Sequence, residues 1–89
     1  MPSTDVTIAS AVGLHARPAG LFVKAAAATG VPVTIAKQGG APVDARSLLG
    51  VMALGAGHGD TVTLTAEGEG ADAALAELAD LLGRDLDAA

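Results

Sequence analysis

The residues best suited to chemistry stand together in Gly13-Leu14-His15-Ala16-Arg17-Pro18-Ala19. Imidazole is a nucleophile near neutral pH, so His15 offers a ring nitrogen that can attack an electrophilic centre. Proline is tolerated in the first turn of a helix, where a backbone N–H has no intrahelical partner, so Pro18 marks a helix start close by. His15 then falls at the N-cap. The free N–H groups of Ala16 and Arg17 point out of the helix end, where the macrodipole is positive and an anion fits. The Arg17 guanidinium adds a planar fork for phosphate oxygens. A phosphoryl group on the His15 ring would lie in that field. As a phosphoimidazole it keeps a good leaving group and can be passed on. A few amides and one arginine hold such a load loosely enough to release it. Against this stands a plainer reading, in which the histidine only caps the helix beside an unrelated arginine. The second histidine, His58, sits in Gly55-Ala56-Gly57-His58-Gly59-Asp60 without a partner motif and reads as a solvated loop residue.

The elements that must hold His15 follow from hydrophobic periodicity. Thr4–Ala9 alternates, with Val6 and Ile8 on one face, and predicts a strand leading into the His15 loop. Ala19, Phe22, Val23 and Ala26 share a stripe at 3.6-residue spacing, which predicts a helix over 16–28 with that stripe toward a core. Arg17 and Lys24 lie together on its other side, and Gly30 ends it. Val31–Lys37 alternates again. Gln38-Gly39-Gly40-Ala41 is a turn, and Pro42 and Val43 allow only a short edge strand. Ser47 is the N-cap of a short helix, Leu48–Leu54. Thr61–Ala66 alternates with Val62 and Leu64 inward and three threonines outward. The last helix spans Ala71–Leu82, with Leu75, Leu78, Ala79 and Leu82 on its core stripe and Asp72 favourably near its start. The order β-α-β-β-α-β-α, with each strand apolar on one face only, predicts an α+β open-faced two-layer sandwich: a sheet covered on one face by three helices. The whole chain, 1–89, reads as one domain.

Composition narrows the function. Half the residues are apolar, which supplies a core, although Phe22 is the only aromatic residue. The chain contains no cysteine, so no disulfide or thiolate metal site is expected, and the two histidines lack metal spacing. No cofactor, no secretory signal and no membrane span are expected, and the reading is cytoplasmic. The net charge of −5 argues against nucleic acid as a partner. An RNA-binding sheet would also want basic and aromatic residues where this one has threonine. The charge is uneven: eight acids face one base from Asp60 onward, but two acids face four bases before it. The His15 half is locally basic, which suits an anion or an acidic partner. A hydrolase using His15 as base lacks any partner arrangement, with no Gly-x-Ser-x-Gly elbow.

With these residues in view, the His15 segment resembles the active-site signature of HPr, the phosphocarrier family of the bacterial phosphoenolpyruvate-dependent sugar phosphotransferase system. A second stretch, Arg46-Ser47-Leu48-Leu49-Gly50-Val51-Met52-Ala53-Leu54-Gly55, resembles that family's regulatory-serine segment. Both blocks occur in the family's order and separation, and the element order extends the likeness over nearly the whole chain. The resemblance implies a carrier rather than an enzyme. His15 would take a phosphoryl group on Nδ1 from phosphorylated Enzyme I and pass it to the A components of sugar permeases. Arg17 matches the family's phosphate-stabilising arginine. The implied sheet is four-stranded and antiparallel, in the order 1-4-2-3, and the implied state is a monomer. Val12 departs from the pattern, because many members carry a small polar residue there, and a polar contact near the phosphate is lost.

Two features keep alternative readings. Ser47 is either a cap alone or also the target of a serine kinase, whose phosphate a helix N-terminus would accommodate. Leu48, Leu49 and Met52 cluster on the outer side of their helix, while Val51 and Leu54 face inward. With Lys24 nearby, that cluster is either a docking surface for partners or is covered by the chain itself. The alternative function is that of an HPr-like regulatory protein, or of a relay serving targets other than sugar uptake.

Overall fold

The alternating segments pair into a sheet, and the stripes of the helices close over one face of it. The computed structural model describes residues 2–84. Its elements are β1 (Ser3–Thr7), α1 (Ala16–Ala28), β2 (Val33–Lys37), β3 (Val43–Asp44), α2 (Leu48–Ala53), β4 (Thr61–Ala66) and α3 (Ala71–Leu82). The strands form one sheet in the order β1-β4-β2-β3, antiparallel throughout. The three helices and this strand order match the expected open-faced sandwich.

Register explains why only one face needs cover. Val62 stands opposite Val6, and Leu64 opposite both Thr4 and Ile35, so the apolar side chains of three strands meet on one face. The same pairing gathers Thr63, Thr65, Asp5 and Thr34 on the other face. There Thr63 Oγ1 donates to Asp5 Oδ1 at 2.7 Å, a cross-strand bond suited to a solvated surface. Against the apolar face α1 buries Pro18, Ala19, Phe22 and Ala26, and α3 buries Leu75, Leu78 and Leu82. The Phe22 ring is wholly buried. It is the largest side chain in a core otherwise made of aliphatic residues, and truncating such a ring to alanine costs about 3–5 kcal/mol.

Element ends differ from the sequence reading by a residue or two, each for a local reason. The strand β1 stops at Thr7. The Ile8 N–H donates to Asp60 O and its carbonyl accepts Gly59 N–H, so Ile8 belongs to the junction with the 55–60 loop. β2 starts after Pro32 and β3 after Pro42, since proline has no N–H to give a ladder. α1, by contrast, keeps the bounds read from the sequence, with Thr29 as its C-cap and Gly30 following at φ +69. One outward assignment is corrected. Met52 is half-buried and packs partly on the core, because α2 lies against both α1 and β3 and leaves that flank little room.

Candidate functional site at the start of the first helix

The backbone enters the site through a tight loop. Gly13 has φ +72, and a side chain there would stand 2.5 Å from Ala56 O and 2.6 Å from Gly57 Cα. Glycine is therefore required on both conformational and steric grounds. Leu14 donates its N–H to Ala56 O at 2.8 Å and buries its side chain almost completely, which pins the residue before His15. His15 N donates to Gly13 O at 3.0 Å.

His15 is the N-cap, in extended backbone at φ −139, ψ 153, and its side chain makes no capping bond. The ring is exposed and unengaged among the described residues. His15 thus occupies the N-cap position without capping through its side chain, and the ring is left available. Ala16 follows at φ +47, the only non-glycine residue among those described with a positive φ. Left-handed backbone costs an alanine about 1–2 kcal/mol, so the helix opens on a strained residue. No sequence signal marks that strain. Pro18 is buried in the first turn and fixes the helix direction. The N–H groups of Ala16 and Arg17 precede the first i→i−4 bond and so have no intrahelical partner.

Charge is distributed to suit an anion here. Lys37 pairs with Asp60, Arg46 with Asp44 and Arg84 with Asp80. Arg17 and Lys24 are exposed and have no ion pair or hydrogen bond among the described residues. The two uncommitted bases both lie on α1. The two perturbed carboxylates are elsewhere. The Gly57 N–H and then Lys37 hold the Asp60 carboxyl below the usual range, and the Arg46 backbone and side chain do the same for Asp44. Among the described residues no three His, Cys, Asp or Glu side chains gather to hold a metal ion.

The second block also finds its place. Ser47 caps α2, its Oγ accepting the Gly50 N–H at 3.1 Å, and the residue is exposed. Leu49 is 82% exposed and Leu48 44%, a large apolar offering for so small a domain. Val12, at 57%, and Leu21, at 37%, are also exposed. Leu21 was missed in the sequence, although its spacing from Arg17 and Lys24 puts it on their helix face. His58 is exposed as expected, but its Nδ1 lies 3.3 Å from Ser10 O. Two surface concavities, of about 360 and 390 Å³, lie along β2–β3 and beside the 38–41 turn, and neither is lined by His15 or Arg17. The histidine is presented outward, where another macromolecule can reach it.

Fold and site together define a class: an open-faced α+β sandwich that displays an uncapped histidine at the mouth of its first helix. The family model described as PTS HPr component phosphorylation site matches residues 2–84. The chain belongs to the HPr phosphocarrier family. It is 53% identical to the phosphocarrier protein HPr of Streptomyces coelicolor, over 98% of this chain and 94% of that one. The crystal structure of HPr from Bacillus anthracis superposes with a TM-score of 0.86 at 38% identity, covering 91% of this chain and 95% of that one. An HPr dimer from Thermoanaerobacter tengcongensis superposes at 0.69 with 38% identity, covering 91% and 92%.

Proposed function

We propose that this chain carries a phosphoryl group on His15, taken from phosphorylated Enzyme I and delivered to the sugar-specific A components of the phosphotransferase system. The observation that carries the reading is the exposed, uncapped His15 ring beside a free Arg17, in a chain of the HPr family. The Nδ1 lone pair attacks phosphorus, the P–N bond forms, and the bond to the donor breaks. Arg17 and the Ala16 and Arg17 amides take up the negative charge of the phosphoryl oxygens. No group of the chain cuts or rebuilds a substrate; the protein is a carrier that is itself modified.

The exposed Leu48 and Leu49, with the partly covered Met52 and with Lys24 of the adjoining α1, form the docking surface. Apolar contact there supplies affinity, and the uncommitted cations of α1 steer an acidic partner. Ser47, exposed at the head of α2, is the position at which a kinase would regulate the carrier. The working state is a monomer, which leaves His15 open to each partner in turn.

The test is incubation with phosphoenolpyruvate and Enzyme I, read by intact mass. Wild type is expected to gain one acid-labile, alkali-stable phosphoryl group, and His15→Ala none. In the same assay Leu48→Glu with Leu49→Glu should raise KM for Enzyme I about tenfold while the domain stays folded. A wild-type protein that gains no phosphoryl group from a competent Enzyme I would move the chain to the regulatory reading.

A further inference from the structure

One peptide unit, Ala56–Gly57, touches the His15 loop on one side and a charged pair on the other. Its carbonyl accepts the Leu14 N–H at 2.8 Å, one residue before His15. Its N–H, that of Gly57, donates to Asp60 Oδ2 at 2.8 Å. Lys37 Nζ stands 3.5 Å from the same Oδ2 and donates to Gly55 O at 3.4 Å, so one ammonium spans both ends of the 55–60 loop.

These contacts are coupled in two ways. A peptide is planar, so fixing the direction of its N–H fixes the direction of its C=O. A carboxylate drawing on the N–H also polarises the carbonyl and strengthens the bond that the oxygen accepts. Gly13 packs closely on this peptide, since a Cβ there would stand 2.5 Å from Ala56 O and 2.6 Å from Gly57 Cα, so a tilt of the peptide is felt directly by the His15 loop. The ion pair itself is partly exposed, and such pairs contribute little to global stability. Its effect is local, on where one carbonyl points.

We propose that Asp60 is a positioning residue for His15: through the Ala56–Gly57 peptide it sets where the Leu14 N–H, and with it the His15 ring, stands when the phosphoryl group arrives. The inference rests on the reading of His15 as the acceptor. Asp60 touches neither the ring nor its load. Lys37 orients the carboxylate, and His58 adds a parallel tie by donating from Nδ1 to the Ser10 carbonyl.

The experiment compares the full-length wild type with Asp60→Ala and Asp60→Asn as acceptors from phosphorylated Enzyme I. It separates kcat from KM and follows the Leu14 amide by NMR. Asp60→Ala is expected to lower kcat about fivefold to tenfold with KM unchanged, since the docking surface is intact. Its Leu14 amide proton should shift upfield as the bond to Ala56 O weakens. Asp60→Asn, whose side-chain carbonyl can still accept the Gly57 N–H, should recover most of kcat. Should the alanine variant not fold, Lys37→Met takes its place, with an expected loss of about twofold in kcat alone. Wild-type kcat in the alanine or methionine variant, a loss confined to KM, or a loss that the asparagine variant shares in full would overturn the proposal. A wild-type protein that takes no phosphoryl group on His15 would instead overturn the reading beneath it, whatever the Leu14 amide shows.

Discussion

At the scale of single residues, the site depends on what is kept away from His15 as much as on what is near it. The ring makes no capping bond, and Arg17 has no partner among the described residues. Both are left ready for an incoming anion. That readiness is held by backbone atoms that admit no side chain at Gly13. Gly13→Ala would place a methyl group within 2.6 Å of two backbone atoms while asking alanine to hold φ +72. The expected cost is about 2–4 kcal/mol of stability, from left-handed strain and a forced shift of the Ala56–Gly57 peptide. Chemical denaturation measures that cost, and a phosphorylation rate per folded molecule well below wild type would show that the shift reaches His15.

At the scale of elements, α2 is too short to be stable alone and relies on its cap and its contacts with α1 and β3. The Ser47 hydroxyl supplies the cap through Gly50 N–H. Ser47→Ala should therefore lower stability by about 1 kcal/mol, whereas Ser47→Asp preserves a capping oxygen and should leave stability close to wild type. The two variants separate structure from regulation. If negative charge at this position regulates the carrier, Ser47→Asp will accept phosphate from Enzyme I more slowly than Ser47→Ala despite being the more stable protein. Equal rates in the two would make Ser47 a cap and nothing more.

At the scale of the whole molecule, an acidic chain reserves its unpaired cations for one helix face and spends the rest in short-range pairs. Asp60 and Asp44 have folded-state pKa values below the ordinary 3.8, held there by backbone N–H groups and a neighbouring base. A depressed carboxylate pKa favours the folded state above the unfolded value. That contribution disappears as pH falls through the folded value. Stability to urea should thus hold from pH 7 to pH 5 and decline below about 3.8, with the Asp44→Asn, Asp60→Asn double variant showing a shallower decline. An identical acid profile in that variant would place the acid-sensitive carboxylates elsewhere.

Much of this was legible in the linear chain, because local rules decided it. The stripe of α1, the threonine alternation of β4, Pro18 at a helix start and Ser47 at another depend on neighbours within a turn or two. The family likeness rests on two contiguous blocks, so it too was readable. The strand order came with that likeness rather than from periodicity, since alternation says which face is buried but not which strand is adjacent. Only the tertiary structure brought loop 55–60 against the His15 loop. The contacts of Leu14 with Ala56 and of His58 with Ser10 join residues more than forty positions apart, and no local pattern specifies such pairs. The positive φ of Ala16 was hidden for the same reason. Alanine has no intrinsic preference for that backbone, and the fold on either side of the residue imposes it. The sequence determined which side chain could carry the chemistry; the packing of two distant loops decided how that side chain is held.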